Sequence, residues 1–109
     1  MHLVGVRRSL ADAHPWLPGA VFKAFSEAKA KALDLLAAPS AMKVTMPFVE
    51  ERLAEARALM GEDFWSYGLD SNHKTLELFL KHHHAQGLSG RLVKPEELFH
   101  PGTLETFKL

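Results

Sequence analysis

Histidine is the residue type in this sequence that could most readily do chemistry, and it occurs seven times. Three of the histidines, His82, His83 and His84, are consecutive, and clustered histidines are typical of metal sites. On a helix, however, three consecutive side chains fan across roughly 200°, so they cannot converge on one ion. We therefore predict no metal site and expect His83 to lie near the core, in the apolar stripe of its helix.

The other polar pairs also lack the spacing of a catalytic or metal site. His73 and Glu77 lie one helical turn apart and could pair, but His84 is about 10 Å further along the helix than Glu77, too far to share a ligand. Glu97 and His100 could touch, and we interpret them as an accidental pair because a proline follows directly. The sequence has no GxSxG, Walker or GxGxxG motif, so nothing in it indicates hydrolase or nucleotide chemistry.

His2, Arg7 and Arg8 form the candidate site that remains. His2 begins a short segment that we predict to be a β-strand, and the two arginines follow where this segment ends in charge. A strand of this kind in an α/β sheet delivers its side chains to a cleft. In the simpler alternative, His2 is only an exposed residue near the start of the chain.

The hydrophobic pattern predicts one strand, three helices and a turn. Residues 2–7 contain two valines and end in charge, which favours the strand. Apolar residues recur in steps of three and four in the predicted helices, at about 15–37, 47–60 and 71–86, and a short turn is predicted over 95–99. The apolar positions of the first helix are Leu17, Val21, Ala24, Phe25, Ala28, Ala32, Leu35 and Leu36.

Prolines and glycines support the ends of these helices. Pro15 and Pro47 suit a first helical turn, while Gly61 and Gly87 follow the last turns of the second and third helices. The predicted fold class is therefore mainly α with one N-terminal β-strand, in a single segment covering 1–109. A lone strand leaves two rows of backbone groups unpaired, so a second copy of the chain or the rest of a longer protein would have to supply its sheet.

Composition and charge exclude several classes of protein. Thirteen basic residues balance thirteen acidic ones, which removes the electrostatic basis for a nucleic-acid or anionic-membrane partner. Cysteine is absent, so disulfides, thiolate catalysis and cysteine-ligated metals are excluded. No apolar run approaches the roughly 20 residues of a membrane span, and the first residues lack the charge order of a secretory signal. We expect a cytoplasmic protein.

Several stretches of the sequence together carry a family resemblance. They are residues 1–8, 14–17, 22–29, 58–68, 72–77, 86–89 and 95–99. These stretches resemble the C-terminal part of the 4,5-dihydroxyphthalate decarboxylases, and the resemblance covers most of the chain. The resemblance implies a C-terminal fragment of a two-lobed α/β fold like that of the type 2 periplasmic binding proteins, with His2 near the cleft between the lobes.

The same resemblance implies a lyase of aromatic catabolism that converts its aromatic diacid to protocatechuate and carbon dioxide, without a bound cofactor. Such chemistry requires cationic contacts to two carboxylates, a base for the phenol and a general acid for the ring carbon. By this analogy His2 is the catalytic acid or base, and Arg7 or Arg8 contacts the small aromatic dicarboxylate. Most of both lobes would lie outside this chain, so we expect the isolated chain to be inactive.

Two other functions stay open at the level of sequence. The chain could be a fragment of a solute-binding protein of the ABC-transporter type, because two-lobed folds more often hold a small ligand than transform it. It could also be a small helical protein that forms a homo-oligomer through its N-terminal strand. A gene that extends upstream of Met1 would separate a fragment from this last alternative.

Overall fold

The computed structural model describes residues 2–38 and 45–104. These residues form four α-helices and three short 3-10 turns. The helices are α1 (Arg8–Ala13), α2 (Leu17–Ala37), α3 (Val49–Met60) and α4 (His73–Ala85), and the turns are Asp70–Asn72, Pro95–Leu98 and Pro101–Thr103. The prediction of a helical chain is confirmed. None of the described helices combines the length and the apolar character that crossing a membrane requires.

The predicted N-terminal β-strand is wrong. Residues 2–7 have no regular secondary structure, and no strand occurs within 2–38 or 45–104. Leu3 and Val4, which favoured the strand, are 59% and 62% exposed. A strand requires a neighbour for its backbone groups, and the described part of the chain provides none. The prediction that copies pair through this strand therefore loses the element on which it depended. The two-lobed α/β fold that the family resemblance implies is also not found, since the described residues are helical and contain no sheet.

Helix α1 follows this segment directly and was not predicted. It has six residues, too few for a hydrophobic period to be recognised. The backbone carbonyl of Arg7 accepts hydrogen bonds from the amides of Leu10 and Ala11, at 3.0 and 3.1 Å, and starts the helix. Ala11 is buried, so this short helix is held by packing and not by its own length.

Helices α2 and α3 end at the predicted residues but begin two residues later than predicted. Gly61 follows α3 with a φ of 89°, a conformation that favours glycine, and its amide donates to the carbonyl of Arg57 at 2.8 Å. Phe48 precedes α3 in the left-handed conformation, with a φ of 61°. The first turn of α3 therefore starts after Phe48, and Pro47 lies outside it.

Helix α4 is preceded by the Asp70–Asn72 turn, so the predicted helix over 71–86 covers a 3-10 turn as well as an α-helix. The side-chain amide of Asn72 donates to the carbonyl of Gly68 at 2.9 Å and fixes the turn at the start of α4. Gly87 follows the last turn of α4 with a φ of 74°, and its amide donates to the carbonyl of His84 at 2.9 Å. The end of the helix thus uses the left-handed glycine that the sequence indicates.

The chain divides into two compact units, and the first contains residues 1–23 and 67–109. The buried hydrophobic residues of the described chain all belong to this unit, and they are Ala11, Leu69, Leu76 and Leu80. Leu76 and Leu80 lie one turn apart on α4. The Pro95–Leu98 turn packs against the same helix, with Pro95 buried. This unit therefore has a small core centred on α4.

The second unit contains residues 24–66, with the larger part of α2 and all of α3. None of its described residues is buried. The side chain of Lys29, which is 18% exposed, pairs with Asp63 at 2.7 Å and donates to the carbonyl of Trp65 at 3.2 Å. This contact joins α2 to the segment that follows α3. Because none of the described apolar side chains of the unit is buried, they contribute little to its stability through the hydrophobic effect.

His83 occupies a half-buried position on α4, with its ring 5.8 Å from the ring of Phe79. We expect His83→Ala to lower the free energy of unfolding by about 1 kcal/mol, because the ring contact is lost. His82 is an exposed neighbour, so His82→Ala should change the free energy of unfolding by less than about 0.5 kcal/mol. Thermal melts with and without zinc test this expectation. Equal melting points would contradict the packing role, and a zinc-dependent rise lost only in His83→Ala would indicate a ligand.

Candidate functional site

The structure places His2, Arg7 and Arg8 at the start of the first unit. All three are exposed, and Arg8 is the first residue of α1. Within the described ranges, the two guanidinium groups and the His2 ring have no hydrogen bond or ion pair with another residue. Their side chains are therefore accessible to a ligand.

The best-defined group of charged contacts lies in the first unit, where the Pro95–Leu98 turn meets α4. We call it the His73 cluster, and it consists of His73, Arg91, Glu96 and Glu97. His73 is the first residue of α4, and its Nε2 lies 2.8 Å from Oε1 of Glu96. The sequence spacing suggested Glu77 as the partner of His73, but the structure brings in a glutamate that is 23 residues away.

Glu97 is the most strongly held carboxylate of the His73 cluster. Both terminal nitrogens of Arg91 donate to it, one of them at 3.2 Å to Oε1, and the backbone amide of Lys94 donates to the same oxygen at 3.2 Å. Because a two-point contact to arginine favours the charged form, the hydrogen bonds from Arg91 hold the pKa of Glu97 below its ordinary value. His100, the other partner considered from the sequence, instead accepts a hydrogen bond from the amide of Gly102 at 3.1 Å.

Glu96, the neighbouring carboxylate, is held by His73 and by a backbone amide. A hydrogen bond from its own backbone amide lowers the pKa of Glu96, and the hydrogen bond with His73 adds to the effect. The side chains of His73 and Glu96 are 44% and 49% exposed. A general acid or base needs a free reacting partner within reach. Both carboxylates of the cluster already have basic partners. The contact between His73 and Glu96 joins the turn to α4, and Arg91 pairs with Glu97 within the loop, so the cluster has the geometry of a structural clamp.

The clamp predicts how the first unit responds to acid. Glu97 has a lower pKa folded than unfolded, so its stabilisation is complete above the ordinary glutamate pKa of about 4.3 and is lost as the pH falls below that value. We expect the wild-type chain to lose stability more steeply than Glu97→Gln between about pH 5 and pH 3.

Urea unfolding at several pH values measures this difference. Glu77→Gln is the matched control, since Glu77 is exposed on α4 and has no partner among the contacts of the described residues. The control should keep the wild-type dependence on pH. If Glu97→Gln also keeps it, the ion pair between Arg91 and Glu97 does not stabilise the turn.

A surface depression of about 460 Å³ lies in the second unit, beside the start of α3. It is lined by Phe48, Glu51, Arg52 and Glu55. Nη1 of Arg52 lies 2.6 Å from Oε2 of Glu55, so the positive charge of Arg52 is balanced by Glu55. The negative charge of Glu51 then makes the lining acidic. Such a surface repels an aromatic dicarboxylate. Across the described ranges, no three histidine, aspartate or glutamate side chains lie together as they would around a metal ion.

Comparison with known proteins shows what this chain is similar to, which its geometry alone does not. No family model matches the sequence. Over its whole length, however, the chain is similar to part of a decarboxylase. That relative is the 4,5-dihydroxyphthalate decarboxylase of Comamonas testosteroni, which is 56% identical over 109 residues. The match covers 100% of this chain and 33% of the relative, so the chain spans about a third of the length of the protein it matches.

This match confirms the family resemblance predicted from the sequence. It favours a part of a decarboxylase over the other two functions that the sequence left open, the solute-binding fragment and the small dimerising protein. The match does not depend on the predicted strand, since it rests on identical residues along the whole chain.

Proposed function

We propose that this chain supplies about one third of a 4,5-dihydroxyphthalate decarboxylase and acts as a lyase together with the remaining two thirds. The observation that supports the proposal is the 56% identity to such an enzyme over the full chain. The proposed substrate is a small aromatic dicarboxylate, in agreement with the name of the relative. A cytoplasmic location stays a prediction from the sequence.

The proposed reaction exchanges one ring carboxylate for a proton. A base takes the proton of the hydroxyl group para to the leaving carboxylate, which raises the electron density at the ring carbon. That carbon then receives a proton from a general acid. The bond between the ring carbon and the carboxylate breaks last: carbon dioxide leaves, the electron pair of the bond restores the aromatic ring, and the base returns its proton to the phenolate, which gives protocatechuate.

We propose His2 as the acid or base of this reaction, with Arg7 or Arg8 in contact with a substrate carboxylate. Two features support these roles. The three side chains are exposed and make no competing ion pair within the described ranges. A guanidinium can also bind a carboxylate through two parallel hydrogen bonds. The depression beside α3 has an acidic lining and offers no comparable contact.

A chimeric enzyme tests the proposed function. This chain replaces the matching third of the Comamonas testosteroni relative, and the release of carbon dioxide from 4,5-dihydroxyphthalate is measured. Because more than half of the exchanged residues are identical, we expect the chimera to retain activity within about tenfold of the parent enzyme. A folded chimera that releases no carbon dioxide would contradict the proposal.

A further inference from the structure

Helix α2 presents an exposed apolar face within the second unit. Successive residues on a helix turn by about 100°, which divides the surface of α2 from residue 24 onward into three sectors. One sector is half-buried and one is charged. The third, which we call the α2 apolar stripe, consists of exposed residues, namely Ala24, Phe25, Ala28, Ala32 and Leu35.

The composition of the α2 apolar stripe is that of a face in contact with another element. Phe25 and Leu35 are 46% and 48% exposed. On the same face Ala24, Ala28 and Ala32 repeat at intervals of four residues, and side chains this small allow a second helix to approach closely. An apolar face about 100° wide normally faces a core. The α2 apolar stripe instead faces solvent, and none of the described residues of the second unit is buried.

The contacts within the unit do not account for this face. The half-buried side of α2 contains Lys29, whose ammonium pairs with Asp63 and contacts the carbonyl of Trp65. Ala28 and Ala32 lie on the neighbouring, exposed surface. Among the described residues of the unit, the half-buried side of α2 makes these contacts while the α2 apolar stripe stays exposed.

We infer that the α2 apolar stripe is the surface on which the rest of the decarboxylase packs, an inference that rests on the proposed function. The chain spans 33% of its relative, so about twice its own length of polypeptide is available to cover the stripe. A domain of about 300 residues buries about 75% of the surface of its unfolded chain, which requires contacts of this kind.

A second copy of this chain is a poorer occupant. Stable protein interfaces use about 20–30 residues on each side, whereas the stripe has five, three of them alanines. Leu59 and Met60 of α3 are also 84% and 57% exposed, so the unit has more apolar surface to cover than the five residues of the stripe. The much larger remainder of the enzyme can cover both helices.

The test uses the full 109-residue chain and the complementary part, defined as the portion of the Comamonas testosteroni relative that lies outside the match. The two polypeptides are produced together, and their association is measured by light scattering and calorimetry. We expect a one-to-one complex. Ala28→Glu should weaken it by about 30-fold or more, because it places a charge in the centre of the packed face.

Ala30→Glu is the matched control, since it adds the same side chain to an exposed position of α2 outside the stripe. We expect the control to bind within about threefold of the wild-type chain. Circular dichroism checks that both variants keep the helix content of the wild type. Equal binding by Ala28→Glu and Ala30→Glu would overturn the inference. A homodimer that Ala28→Glu disrupts, with no binding of the complementary part, would also overturn it.

These outcomes can be separated from failure of the proposed function. If the complex forms and depends on Ala28 but the chimeric enzyme is inactive, the proposed function fails and the packing surface stands. If the chimeric enzyme is active but Ala28→Glu leaves association unchanged, the proposed function stands and the packing surface is wrong.

Discussion

Replacing Leu76 by alanine is expected to lower the free energy of unfolding of the first unit by about 3 kcal/mol. Leu76 is 2% exposed and lies at the centre of a core with few other buried side chains. Loss of a buried leucine side chain removes its transfer free energy and leaves a cavity that the neighbours fill only in part. Because single domains have only about 5–15 kcal/mol of stability, the effect should be large.

Urea unfolding monitored by circular dichroism measures this change. Leu78→Ala is the matched control, because Leu78 lies on the same helix two residues away and is 57% exposed. We expect Leu78→Ala to change the free energy of unfolding by less than about 1 kcal/mol. Similar losses in the two variants would show that α4 does not bury Leu76 in solution.

Replacing His2 by alanine in the chimeric enzyme is expected to lower kcat by about 100-fold or more. A positioned general acid or base contributes at least this much to a proton-transfer step. Arg7→Ala and Arg8→Ala act on substrate binding in the proposed site, so at least one of them should raise KM more than it lowers kcat.

His82→Ala is the control for the loss of a histidine, since His82 is exposed on α4 and has no role in the proposed site. It should leave both kcat and KM within about twofold of the unmodified chimera. Equal activity in His2→Ala and His82→Ala would remove His2 from the mechanism. The arginine variants would then test substrate contact independently.

Much of the helical structure could be predicted from the sequence because its signals are local. The apolar periods of α2 and α3 and the glycines after α3 and α4 act within a few residues of the backbone they affect. Gly61 and Gly87 have positive φ angles, which glycine adopts without strain. The α3 start differs from prediction because Phe48, not the proline before it, sets the first turn.

Features that depend on distant residues could not be predicted in this way. The valines of residues 2–7 favour a strand only if a neighbouring strand exists, and the described chain contains none. The contact between His73 and Glu96 joins residues 23 apart, so no helical spacing indicates it. Arg91 and Glu97 pair across a proline-containing turn, where side-chain directions follow the loop and not a repeat.

Helix α2 shows a different limit of sequence patterns. Its apolar positions include Ala24, Phe25, Ala28, Ala32 and Leu35, which the structure leaves exposed. An apolar pattern records the surface that a helix buries in the complete protein, and this chain spans 33% of its relative. The pattern is therefore consistent with the proposed packing of α2 against the rest of the enzyme.

The most direct test of the account is an assay of carbon dioxide release from 4,5-dihydroxyphthalate by the 109-residue chain, by the complementary part of the relative, and by the two together. A site assembled from both polypeptides requires both to orient the substrate, and orientation alone can be worth several kcal/mol of the barrier. We predict release by the mixture and none above background by either polypeptide alone. Release by the isolated chain, abolished by His2→Ala, would contradict the account, and so would a stable complex that releases no carbon dioxide.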